Sequence, residues 1–149
     1  MHPNVYAAEA HVWTRVARRR LEGAQTREDS ADEIDKTADL AQGIEALDRA
    51  IRYMDRLRTR IDGVDYPAGV DWAKVREFAR HVRDTMAHGD ERLATQTFGF
   101  LFRIEGDEAV ERGQGRGESR GREIRLPLAT LRQAIEELDR WAAHERTIT

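Results

Sequence analysis

Residues 40–57 read LAQGIEALDRAIRYMDRL, and their period decides the fold. Leu40, Ile44, Leu47, Ile51 and Met54 recur in steps of 4-3-4-3, and Leu57 and Ile61 extend the row. At about 100° per residue these positions share one stripe of an α-helix. Their near-heptad spacing is that of a seam packed against other helices. The pattern predicts a long helix over roughly 31–62, one member of a bundle. Arg49, Arg52, Arg56 and Arg60 fall on the opposite face, where they could track a phosphate backbone or simply form the wet side of the helix. Asp48, Asp55 and Asp62 run along a flank, and Asp48–Arg52 is an i,i+4 ion pair. Arg58 falls inside the apolar sector. Either its stem is buried with the head in water, or it faces a partner chain.

Upstream, residues 4–23 predict a first helix with Val5, Ala8, Val12, Trp13 and Val16 as its apolar stripe and Gly23 as its end. Arg18, Arg19 and Arg20 then occupy its last turn, where cations complement the helix dipole. Residues 24–31 are polar and turn-like. Downstream, Gly63 to Gly69 with Pro67 reads as a loop, and Asp71 as the N-cap of a third helix. Trp72, Val75, Phe78, Ala79, Val82 and Met86 form its apolar face, and Gly89 is a good C-terminal stop. The period then changes from 3.6 to 2. Phe98, Phe100, Phe102 and Ile104 alternate with other residues, as do Ile124, Leu126 and Leu128. This predicts a β-hairpin inserted over about 97–127. Its connection, about 105–121, is rich in glycine and charge, shows no apolar pattern and is expected to be mobile. Arg112, Arg116, Arg120 and Arg122 make the second half of that connection basic, as in RGG-like segments that bind single-stranded RNA; a solvated loop is the plainer alternative. A last helix starts at Pro127 or Leu128, with Leu128, Leu131, Ile135, Leu138 and Ala142 as its seam and Trp141 beside it.

A chain of 149 residues suits one domain with one core. With 36% charged residues against 40% apolar, slender helices with wide wet faces fit better than a thick-cored α/β enzyme. The net charge is −3, so nucleic-acid binding would need a local basic patch. Of 25 basic residues only Lys36 and Lys74 are lysines, which leaves 23 arginines. A GC-rich coding genome explains that bias as readily as phosphate chemistry does. The absence of cysteine excludes disulfides and thiol catalysis. No apolar run approaches the ~18 residues of a membrane span. The opening Met1-His2-Pro3-Asn4 lacks the features of a secretory signal, so a soluble, cytoplasmic protein is expected.

Little conventional catalytic machinery is legible. His2, His11, His81, His88 and His144 form no His-Glu-x-x-His pair and no metal-spaced cluster with carboxylates, so no metal or other cofactor is expected. Ser30 and Ser119 sit in no nucleophile elbow, and there is no phosphate-binding glycine loop. What remains is Arg83-Asp84-Thr85-Met86-Ala87-His88, closed by Gly89. Arginine forks onto phosphate oxygens, and histidine moves protons near neutral pH. On an ideal helix His88 lies about 140° from Arg83 but only about 40° from Asp84. Asp84 could thus hold one imidazole nitrogen and leave the other for chemistry. The alternative is structural: His88 caps the helix, and Arg83 pairs with a carboxylate such as Glu77 or Asp84.

The Arg-x4-His spacing, with a polar residue after the arginine, resembles the motif of the HEPN superfamily (higher eukaryotes and prokaryotes nucleotide-binding domains). The local match covers about residues 71–93, and the pattern of long amphipathic helices extends it loosely over the chain. The resemblance implies a mostly α, four-helix, up-down bundle, here with the β-hairpin before the last helix, working as a homodimer. Arg83 and His88 from two protomers would then meet in one composite cleft. It implies a metal-independent endoribonuclease of toxin or defence type, with His88 moving protons, Arg83 neutralising the transition state and Asp84 orienting. Arg80, Arg116 and Arg120 are the candidate RNA contacts. An antitoxin or other protein partner is a further expectation, but Asp90 stands where the branch paired with a nucleotidyltransferase antitoxin usually carries tyrosine, a departure that counts against that mode of regulation. A non-catalytic helical RNA-binding or protein-interaction module is the alternative reading.

Overall fold

The structure is a computed structural model and describes residues 3–26, 33–87, 102–114 and 120–147. Among the described residues four helices, α1 (Pro3–Thr26), α2 (Glu33–Arg60), α3 (Trp72–Ala87) and α4 (Leu128–Thr147), accompany three strands, β1 (Phe102–Glu105), β2 (Glu108–Gln114) and β3 (Arg120–Pro127). α1 packs most extensively on α2 and next on α4, while α3 and β1 lie against α2. No described helix is long and apolar enough to cross a membrane.

The expected seam of α2 is buried: Leu40, Ile44, Leu47, Ile51, Met54 and Leu57 are all core residues. So are Leu128, Leu131, Ile135, Leu138 and Ala142 of α4. Asp71 caps α3, its Oδ1 accepting a hydrogen bond from the Lys74 amide at 3.2 Å. The loop before it turns at Gly63 (φ 79°) and Gly69 (φ 95°), conformations that glycine adopts without Cβ strain.

α1 departs from its expected face. Val12 is 54% exposed and Val5 41%, and the buried stripe is instead Ala7, Ala10, Thr14, Ala17, Leu21 and Ala24. Close approach to α2 selects the small side chains. A Cβ on Gly43 of α2 would sit 3.3 Å from Arg20 Cβ and 3.4 Å from the Ala17 carbonyl oxygen. Gly23 does not end the helix, because α1 runs on to Thr26. It makes room for α2: a Cβ there would stand 2.9 Å from Asp39 Oδ2. The triple arginine is therefore not in the last turn. Arg18 pairs with Asp139 at 3.3 Å, and Arg20 with Asp39 at 3.2 Å.

Of the expected hairpin, Phe98, Phe100 and residues 115–119 lie outside the described residues; the described part forms a three-stranded antiparallel sheet in the order β1-β2-β3. The supposedly patternless connection contains its central strand. β1 and β2 join through a two-residue turn, Gly106-Asp107, flanked by the Glu105–Glu108 pair. Gly106 takes φ 61°, as the first position of a type II′ turn requires. Ala109, Val110 and Glu111 are all fully buried, so β2 lacks the alternation of a half-wet strand. One sheet face aligns Ile104, Ala109 and Leu126, and beside them Phe102, Glu111 and Ile124. The other carries Arg103, Glu105, Glu123 and Arg125, with ion pairs of 2.6 Å (Arg103–Glu123) and 2.7 Å (Arg125–Glu123) across and along the strands.

The far end of α3 also differs from expectation. Met86 is 42% exposed and Thr85 is fully buried in its place. The helix end meets β2 there, and the Thr85 hydroxyl donates to the Glu111 carboxylate. Burial of that carboxylate makes a polar helix residue the better neighbour than methionine.

Candidate nucleic-acid interface

α3 carries Arg76, Arg80 and Arg83 at spacings of four and three, so all three share one helix edge. That edge faces Asp48, Arg52 and Asp55 of α2. Together these residues line a groove of about 420 Å³, with Ile51, Ala73 and Glu77 completing its walls. Four guanidiniums thus face three carboxylates.

The acids fix the geometry. Asp55 takes a two-pronged contact from Arg76, Nη1 to Oδ2 at 2.7 Å and Nη2 to Oδ1 at 2.6 Å. The Tyr66 hydroxyl donates to the same Oδ1 at 2.7 Å. Burial works to raise the Asp55 carboxyl, but the hydrogen bonds from Arg76 and Tyr66 outweigh it and hold the group below its ordinary value. Tyr66 is in turn pushed up by burial and by Asp55, and stays a neutral donor. Its ring packs on Trp72 and Trp141, each with centroids 4.9 Å away. The Arg58 guanidinium lies 5.1 Å from the same ring and pairs with Asp65 at 2.9 Å. Arg58, the odd cation of the apolar sector, therefore finds its contacts within its own chain.

Asp48 is the other anchor. It is buried to 7% exposure and receives Arg52 Nε at 3.2 Å and Arg83 Nη1 at 3.4 Å. Burial raises its carboxyl above the usual range, against the pull of both arginines. Arg83 thus pairs neither with Glu77 nor with Asp84. Its partner lies 35 residues earlier on the neighbouring helix. Asp84 is half-buried. Arg80 is exposed on the groove and forms no ion pair among the described residues. His88 follows the last described residue of α3, and both it and Arg116 lie outside the described residues. Arg120 opens β3, away from α3 in the chain.

Of the sequence-derived cations, the structure brings Arg80, Arg83 and Arg52 of the α2 row together and adds Arg76 to them. Arg76 and Asp55 were missed as a pair. The signal for Arg76 was its i,i+4 and i,i+7 relation to Arg80 and Arg83; nothing local pointed to Asp55. The expected arginine row on α2 is only partly a wet face. Arg49 lies 4.6 Å over the Trp13 ring, and Arg60 5.8 Å from the Tyr6 ring, so both help dock α1. Among the described residues no group of three or more histidine and acidic side chains is arranged to hold a metal ion. No family model matches the chain, nor does any curated protein or solved structure.

Proposed function

We propose that the chain is a metal-independent endoribonuclease of the HEPN kind, and that the groove between α2 and α3 receives the RNA phosphates. The observation that carries this reading is the edge Arg76-Arg80-Arg83, which with Arg52 gathers four guanidiniums in one groove on the helix that leads to His88. Arginine supplies paired donors matched to phosphate oxygens. In the proposed reaction the ribose 2′-OH attacks the adjacent phosphorus and the P–O5′ bond breaks, leaving a 2′,3′-cyclic phosphate and a 5′-hydroxyl. One proton leaves the 2′-oxygen and one reaches the departing O5′, with His88 serving one of these transfers. Arg83 neutralises charge on the phosphorane-like transition state, and Asp84 orients. In a homodimer Arg83 of one protomer would act with His88 of the other, which answers the separation of about 140° expected from an ideal helical period. A role as toxin or defence effector is the biological form of this proposal.

Cleavage of unstructured RNA in excess EDTA tests it. Arg83→Ala and His88→Ala should each lower the rate by about 10²–10⁴-fold, with cyclic-phosphate ends on the wild-type product. Activity that vanished in EDTA and returned with magnesium would refute the mechanism. The Arg83–Asp48 pair favours a second reading, in which Arg83 is a structural counter-ion and the domain a non-catalytic RNA-binding or protein-interaction module. In that case wild-type protein binds without cleaving, and Arg83→Ala lowers stability instead.

A further inference from the structure

A second recess lies beside the groove, around the exposed side of α2. It has a volume of about 200 Å³ and is lined by Arg49, Arg52, Tyr53 and Arg56. Arg52 lines both cavities, so they adjoin at that side chain. Within the recess Tyr53 is half-buried, and three guanidiniums surround it. Arg49 is held in place from behind by the Trp13 ring at 4.6 Å and by Glu45 at 3.5 Å. Arg56 is exposed and forms no ion pair among the described residues. An aromatic ring set among cations, in a hollow the size of one or two planar rings, is what a nucleobase next to its phosphate requires. The base stacks on the ring face, and the charge comes from the flanking arginines.

From this juxtaposition we infer that the Tyr53 recess is a nucleobase subsite, and that the α2 surface therefore selects single-stranded over duplex RNA. The inference rests on the proposed reading of the adjoining groove as a phosphate site. A base in a duplex is stacked on its neighbours and cannot turn onto Tyr53, whereas an unpaired base can. Single-stranded chains would run from phosphates on Arg80 and Arg83, past Arg52, to a base on Tyr53. Duplex RNA would engage only the arginines.

The experiment measures binding of a fluorescent eight-nucleotide single strand and of its duplex to the full chain, for wild type, Tyr53→Phe, Tyr53→Leu and Arg80→Glu. Leucine keeps apolar volume against the core while removing the ring, and melting temperatures show that each variant is folded. Tyr53→Leu should weaken single-strand binding roughly tenfold, the effect of one lost base–aromatic stack, and leave duplex binding unchanged. Tyr53→Phe should bind like wild type, because the ring is kept. Arg80→Glu should weaken both ligands. If Arg80→Glu weakens binding but Tyr53→Leu changes nothing, or weakens both ligands equally, the base subsite is wrong and the phosphate groove stands. If wild type binds neither RNA, both fall.

Discussion

Asp48→Asn isolates the competition between a buried carboxylate and a bound phosphate for the same arginines. In the folded chain Asp48 takes Arg52 at 3.2 Å and Arg83 at 3.4 Å. A phosphate on the far side of either guanidinium would sit about 7 Å from the Asp48 oxygens. Two like charges at that distance repel by roughly 0.6 kcal/mol in water and about 2.4 kcal/mol at an effective dielectric near 20. Asparagine keeps the shape and removes the repulsion, so affinity for an anionic oligonucleotide should rise by about 3- to 60-fold. The gain should shrink as salt is raised. Stability should change little. Burial already raises the Asp48 carboxyl, so ionising it costs the folded chain part of what its two arginines return. Fluorescence anisotropy with a labelled uridine oligomer, read at several salt concentrations beside melting temperature, checks the prediction. Unchanged or weaker binding by a variant that melts normally would refute the idea that Arg52 and Arg83 are the phosphate ligands that Asp48 restrains. Acidification gives a second view. The folded carboxyl binds its proton at higher pH than the ordinary value of 3.8, so lowering pH through its folded pKa should strengthen oligonucleotide binding more in wild type than in Asp48→Asn, which keeps only Asp55 and Glu77 to titrate in the groove.

Arg76→Ala should destabilise the fold by about 1–3 kcal/mol, the range for a hydrogen bond to a charged partly buried partner, and Arg76→Lys should recover little because a point charge cannot make both contacts to Asp55; chemical denaturation measures both. The depressed Asp55 carboxyl contributes stability that is fully present above 3.8 and lost as pH falls through its folded pKa, so the acid-unfolding curve of Arg76→Ala should show a smaller such component, with only the Tyr66 hydrogen bond and Arg58 left to favour the carboxylate. His11 is held below its ordinary 6.5 chiefly by burial, against the attraction of Asp139 at 3.2 Å. Its contribution is therefore full above 6.5 and declines as pH falls toward the folded value, and a melting-temperature series for His11→Ala should show a shallower slope there. Ala17→Leu should cost about 1–3 kcal/mol by overpacking the α1–α2 contact, whereas Val12→Leu on the exposed side of α1 should change the midpoint of urea unfolding hardly at all.

Much of the architecture followed from local pattern. The rows Leu40 to Leu57 and Leu128 to Ala142 each offered one apolar stripe at helical spacing, and a single stripe leaves a helix one way to face its core. Asp71 before Trp72 announced a helix start through its own side chain, and the alternation of Ile124 and Leu126 announced a strand. α1 was different because valines and alanines formed two competing stripes. The close approach of the two helices, where a Cβ on Gly43 would meet the Ala17 carbonyl oxygen and Arg20 Cβ, favoured the stripe of small side chains. β2 escaped notice because a central strand needs no alternation, and because its Glu111 reads as a surface residue until Thr85 of α3 is placed against it. The candidate site divides in the same way. That Arg80, Arg83 and Arg76 share an edge is a property of helical period and was legible in the chain. That this edge meets Asp48 and Asp55 across a groove depends on how α3 docks on α2, which brings together residues 35 positions apart for Arg83 and 21 for Arg76. Charge type is written in the sequence, whereas the partner of each charge is set by packing.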